Sequence, residues 1–80
     1  MNKIDLLDEI DEPRQQKLDQ VETRLRGQLA GRVRNLTLIA HEGGVILRGF
    51  TRTYYAKQLA QHALMREIDL PIVANEIEVS

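Results

Sequence analysis

The chain has no cysteine and no tryptophan, one phenylalanine, one serine at its last position, and no long uninterrupted apolar run. Without cysteine there is no disulfide, no thiolate nucleophile and no cysteine-held zinc or iron–sulfur cluster. Without a long apolar run there is no membrane-spanning helix. The start, MNKIDLLDEIDEP, lacks the basic opening and apolar core of a secretory signal, so the sequence as given reads as cytoplasmic. The catalytic inventory is equally thin. Ser80 is terminal, and His41 and His62 fall on different predicted elements with no metal-ligand spacing. No nucleophile, acid–base pair or metal set can be assembled from these, and the expectation is a protein that binds rather than reacts and needs no cofactor.

What is present fits one small globular domain: 80 residues, 42% apolar and 29% charged. The net charge of −1 conceals a segregation. Residues 1–13 carry one lysine against five acids, residues 14–66 ten Lys/Arg against three acids, and residues 67–80 four acids and no base. A basic middle flanked by acidic ends offers a surface for phosphate groups of lipid or nucleic acid, or charges that pair internally.

Residues 1–13 are expected to form an acidic flexible tail, with residues 14–80 as the domain. Pro13 suits a first helical turn, which places a helix start there. Leu18, Val21, Leu25 and Leu29 then follow at the spacing of one buried stripe, and Gly31 is a natural stop. From Val33 to His41 the period changes to two, with Leu36, Leu38 and Ala40 on one face and Asn35, Thr37, Ile39 and His41 on the other. Glu42, Gly43 and Gly44 read as a hairpin turn. The strand after it puts Val45, Leu47 and Gly49 on one face and Ile46, Arg48 and Phe50 on the other. Thr51 and Thr53 are both candidate N-caps for a second helix, whose inner stripe is Ala56, Leu59, Ala60, Ala63 and Leu64. Pro71 ends that stretch. In the last strand Val73, Asn75, Ile77 and Val79 face one way and Ile72, Ala74, Glu76 and Glu78 the other. The fold class is therefore α+β, in the order α-β-β-α-β, with a three-stranded mixed sheet and two helices packed on one face. The central strand is not decided by the pattern.

The ordered set V-x-L-x-G (Val45, Leu47, Gly49), a helix with a buried alanine (Ala60) and V-x-N-x-I-x-V (Val73, Asn75, Ile77, Val79) resembles the BON domain, the bacterial osmotically induced and nodulation domain. The resemblance covers about residues 16–80. Where the family has Gly-Val before the last strand, this chain has Asp69 and Leu70, followed by Pro71. The resemblance implies a non-enzymatic α+β module that associates with anionic phospholipid or with envelope proteins. Family members are commonly periplasmic or envelope-associated. The other reading of the same residues is a protein-binding or self-association module of a cytoplasmic protein with no lipid role.

Two surfaces are candidates. Arg48, Arg52, Tyr54, Tyr55 and Lys57 cluster about the start of the second helix, where cations oppose the helix dipole by roughly 0.3–1 kcal/mol each. Backbone N–H groups and arginines there suit an anionic phosphate, and tyrosine suits a lipid–water boundary. The competing expectation is that one tyrosine packs in the core and the arginines pair with Glu76 or Glu78. The second surface is the sheet face away from the helices, with Ile39, Ile46, Phe50 and Ile72, where a protein partner or a homodimer would sit, or else an open strand edge. Nucleic acid is disfavoured as a partner, because neither a G-x-x-G loop between helices nor a set of aromatics on central strands is present.

Overall fold

The computed structural model describes the backbone of residues 3–80 and the side chains of residues 14–80. The elements are α1 (Lys3–Leu29), β1 (Val33–His41), β2 (Gly44–Thr51), α2 (Tyr54–Glu67) and β3 (Ile72–Val79), in the expected α-β-β-α-β order. β2 is the central strand, antiparallel to β1 and parallel to β3. The stripes of α1 (Leu18, Val21, Leu25, Leu29) and α2 (Ala60, Ala63, Leu64) form one buried cluster with Leu36, Leu38, Val45, Leu47 and Ile77. Leu38 faces Leu47, and Leu47 lies level with Asn75, so both helices cover one side of the sheet. Alanines at the α2 contact let that helix approach closely, and exclusion of water from the leucines and valines beneath contributes roughly 1.5–3 kcal/mol per large side chain.

Helix α1 starts ten residues earlier than the proline rule indicates, and Pro13 lies inside it. An interior proline ordinarily costs about 3 kcal/mol. Here Ile4, Leu7 and Ile10 continue the helical period on its N-terminal side. The expected acidic flexible tail over 1–13 otherwise concerns side chains outside the described residues. At the other end Ala30 and Gly31 take left-handed φ of 51° and 80° and stop the helix.

The hairpin turn consists of Glu42 and Gly43 alone, at φ 48° and 80°, with His41 facing Gly44. Two successive positive φ values match the twist of the flanking strands. Gly44 belongs to β2, where it is required by proximity: a Cβ there would lie 2.6 Å from both the Pro71 carbonyl oxygen and Val73 Cγ2.

Two irregularities shift side chains between faces. In β1 the register slips between Arg34 and Thr37, so that Asn35, at φ 54°, and Leu36 together oppose Gly49. This bulge brings β1 down onto Gly49, where a Cβ would lie 2.9 Å from Val33 Cγ1 and 3.0 Å from the Arg34 carbonyl oxygen. That is the physical content of the glycine in V-x-L-x-G. In β3 the register slips across Val73: Ile72 pairs with Val45 and Ala74 with Ile46. Strict alternation places Ile72 on the outer face. The extra residue turns it inward, where it packs against the core, and leaves Val73 49% exposed.

The free edge of β1 is closed by side chains of α1. Gln15 Nε2 donates to the Leu38 carbonyl (2.9 Å) and its Oε1 accepts from Ala40 N–H (3.0 Å). Glu22 Oε1 accepts from Leu38 N–H (3.0 Å), and Arg26 donates to the Leu36 carbonyl (3.1 Å). Backbone groups that would otherwise invite another strand are thereby satisfied.

Candidate functional site: an arginine cleft at one end of the sheet

Thr53 caps α2. Its backbone is extended (φ −133°, ψ 147°) and its Oγ1 accepts from Ala56 N–H at 3.1 Å. Thr51, the other candidate cap, ends β2 and is buried, with Oγ1 donating to the Arg32 carbonyl at 2.8 Å. This bond ties the α1–β1 turn to the end of β2, next to the start of α2. Three segments therefore meet at one end of the sheet, and each contributes an arginine: Arg32 from the turn, Arg34 from β1 and Arg52 from the β2–α2 connection.

These three arginines line a cleft of about 510 Å³ with Phe50, Thr53 and Tyr55. No acidic side chain lines it. The volume lies in the range of small-ligand sites. None of the three arginines has an ion-pair partner among the described residues, whereas Arg24, Arg26 and Arg48 pair with Glu67, Glu22 and Glu76 at 2.9, 2.7 and 2.9 Å. The first turn of α2 contains no acid. The positive pole of α2 points toward the same end.

The five residues singled out from the sequence divide. Arg52 and Tyr55 line the cleft. Arg48 lies on the outer sheet face, paired with Glu76 beside a different groove, so for this residue the internal-pairing expectation holds. Tyr54 is exposed and Lys57 half-buried on α2, and neither lines the cleft. Neither tyrosine packs in the core: Tyr54 is 63% and Tyr55 68% exposed. Arg32 and Arg34 were not singled out from the sequence, although a signal existed. Counting back from the two-residue turn sets Arg34 across from Phe50 and thus near Arg52, once the bulge at Asn35 is allowed for.

Of the other surface, Ile39, Ile46 and Phe50 lie outward as expected, and Ile72 does not, for the reason given above. The outer face forms three cross-strand rows: Ile39–Ile46–Ala74, Thr37–Arg48–Glu76 and Arg34–Phe50–Glu78. Among the described residues no group of three or more histidine, aspartate or glutamate side chains could hold a metal ion, and no helix is long and apolar enough to cross a membrane.

The fold class is a two-layer α+β sandwich. Compared with protein-family models, curated proteins and solved structures, the chain matches none.

Proposed function

We propose that the chain is a non-enzymatic interaction module, BON-like in its motifs, that docks on anionic phospholipid surfaces through the cleft of Arg32, Arg34 and Arg52. The observation that carries this reading is the contrast in pairing: three arginines converge on an acid-free cleft while three elsewhere are neutralised. Guanidinium groups present forked donors that match phosphate oxygens. Tyr55 and Phe50 at the same cleft supply the amphipathic and apolar contacts of a headgroup boundary. Both threonine hydroxyls of the cleft are already engaged, Thr51 with the Arg32 carbonyl and Thr53 with Ala56 N–H, which favours binding over a threonine-based reaction.

Vesicle flotation tests it. Phosphatidylcholine vesicles containing phosphatidylglycerol are expected to carry the protein at low salt, vesicles of phosphatidylcholine alone are not, and binding falls steeply as salt rises. At roughly 1 kcal/mol per cation near an anionic surface, the triple variant R32Q/R34Q/R52Q loses on the order of a hundredfold in partitioning. R24Q, which removes a paired arginine, loses far less. Absence of binding to the anionic vesicles at low salt, or equal losses for the triple variant and R24Q, overturns the reading.

A further inference from the structure

The two edge strands of the sheet carry opposite charges on its outer face. Its positive groups, Arg34 and Arg48, lie on β1 and β2, and its negative groups, Glu76 and Glu78, lie on β3. Arg48 and Glu76 are already paired at 2.9 Å. Arg34 and Glu78 end the same row on either side of Phe50 and have no ion-pair partner among the described residues. They are two strands apart, on the order of 10 Å at the backbone, with Phe50 between them, and form no ion pair with each other. Phe50 between them is 42% exposed, and Ile39, Ile46 and Ala74 form an apolar row further along.

We infer that this face binds a second copy of the chain, face to face, about a two-fold axis that runs parallel to the strands along β2. That rotation lays β3 of each copy over β1 of the other. Glu78 of one copy then meets Arg34 of the other, twice by symmetry. Phe50 packs on Phe50, Ile46 on Ile46, and Ala74 on Ile39, in an aligned sheet-on-sheet contact; Arg48, between them on the axis, lies against Arg48 of the other copy, each with its own Glu76 beside it. The alternative in-plane axis, across the strands, would set the acid-bearing β3 over β3 and would lay Arg34 over β1 of the other copy, whose outer face carries no acid. Only the first arrangement gives Arg34 and Glu78 partners of opposite charge, two such pairs against one contact between already paired Arg48 side chains, and this selects it. A three-stranded face of three rows buries on the order of 500 Å² per copy, short of the roughly 800 Å² per partner of a standard stable interface. The dimer is consequently weak, forming in the high micromolar range or above. Arg34 and Phe50 also line the arginine cleft, so a ligand held there and a second copy compete.

Sedimentation equilibrium from micromolar to millimolar protein, with amide shifts followed over the same range, tests the dimer. The mass is expected to rise toward that of two chains, with shifts concentrated at Ile39, Ile46, Phe50, Ala74 and Glu78 and sparing the outer surfaces of α1 and α2. R34E and E78R each place like charges together at both symmetric contacts and are expected to weaken association at least tenfold. An equimolar mixture of R34E with E78R restores it, because each copy then presents to the other the charge it needs. Both positions are exposed, so folding is retained and is checked by the dispersion of the same spectra. A monomeric mass up to millimolar protein, shifts on the helices instead of the sheet, or a mixture no more associated than its components overturns the proposal. Each of these outcomes is independent of vesicle binding, which is read separately on R32Q, a substitution off the sheet face.

Discussion

The two faces of one three-stranded sheet differ sharply although their residues alternate along the same strands. On the inner face Leu36, Leu38, Val45, Leu47 and Ile77 are at most 1% exposed under two helices. On the outer face the neighbouring positions Ile39, Ile46, Phe50 and Ala74 stay partly or largely exposed, interleaved with Arg34, Arg48, Glu76 and Glu78. The inner face holds the fold and tolerates little change. The outer face and the adjoining arginine cleft carry, besides the Arg48–Glu76 pair, charges that have no ion-pair partner among the described residues.

The largest expected break in that contrast comes from truncating matched neighbours on opposite faces. Leu47→Ala opens a cavity in the closed layer and is expected to cost roughly 2–5 kcal/mol, whereas Ile46→Ala on the bare face costs about 1 kcal/mol or less. Urea unfolding monitored by far-UV circular dichroism checks this, and equal losses at the two positions would mean that the outer face is covered in the monomer. A middle effect is expected at Gly49, where the bulge of β1 leaves no room for a methyl group. Gly49→Ala is expected to destabilise by roughly 1–3 kcal/mol by forcing β1 away, while Gly27→Ala, in open space on α1, is neutral or stabilising.

The smallest effect is set where the two helices meet over the inner face. Glu67 accepts from Arg24 Nε at 2.9 Å and from Gln28 Nε2 at 3.3 Å. Those bonds, Arg24's first, and the nearby guanidinium charge hold the Glu67 carboxyl below the usual carboxylate range, against a partial opposing effect of desolvation. A group whose pKa is lowered on folding contributes stability that is complete above its unfolded pKa and is lost as pH falls through the folded one. Glu67→Gln is therefore expected to be slightly less stable than the parent at neutral pH, with the gap closing in acid. Thermal melts across that range check the sign, and a gap that widens in acid would contradict it.

Much of the fold was legible. The leucine stripe of α1, the alanine-rich stripe of α2 and the Glu42–Gly43 turn are local patterns whose period or φ requirement is set by neighbours in sequence. The candidate site was legible only in part. Arg52 and Tyr55 were found because they stand beside a helix start, a local signal. Arg32 and Arg34 reach the same cleft only because Thr51 bonds the Arg32 carbonyl and the strand register brings β1 alongside Phe50. Arg48, close to Arg52 in sequence, is carried by strand alternation to another surface and is neutralised there by Glu76.

By itself the sequence determined the order of elements, the inward residues of both helices and the need for small residues at the turn and along α2, because each follows from the period of the backbone. Only the tertiary structure decided that β2 is central, that Gln15, Glu22 and Arg26 close the edge of β1, that the slip at Val73 turns Ile72 inward, and that three arginines converge without an acid among them. Each of those depends on which distant segments become neighbours, and on one-residue slips in register that move a side chain across the sheet while leaving the local pattern unchanged.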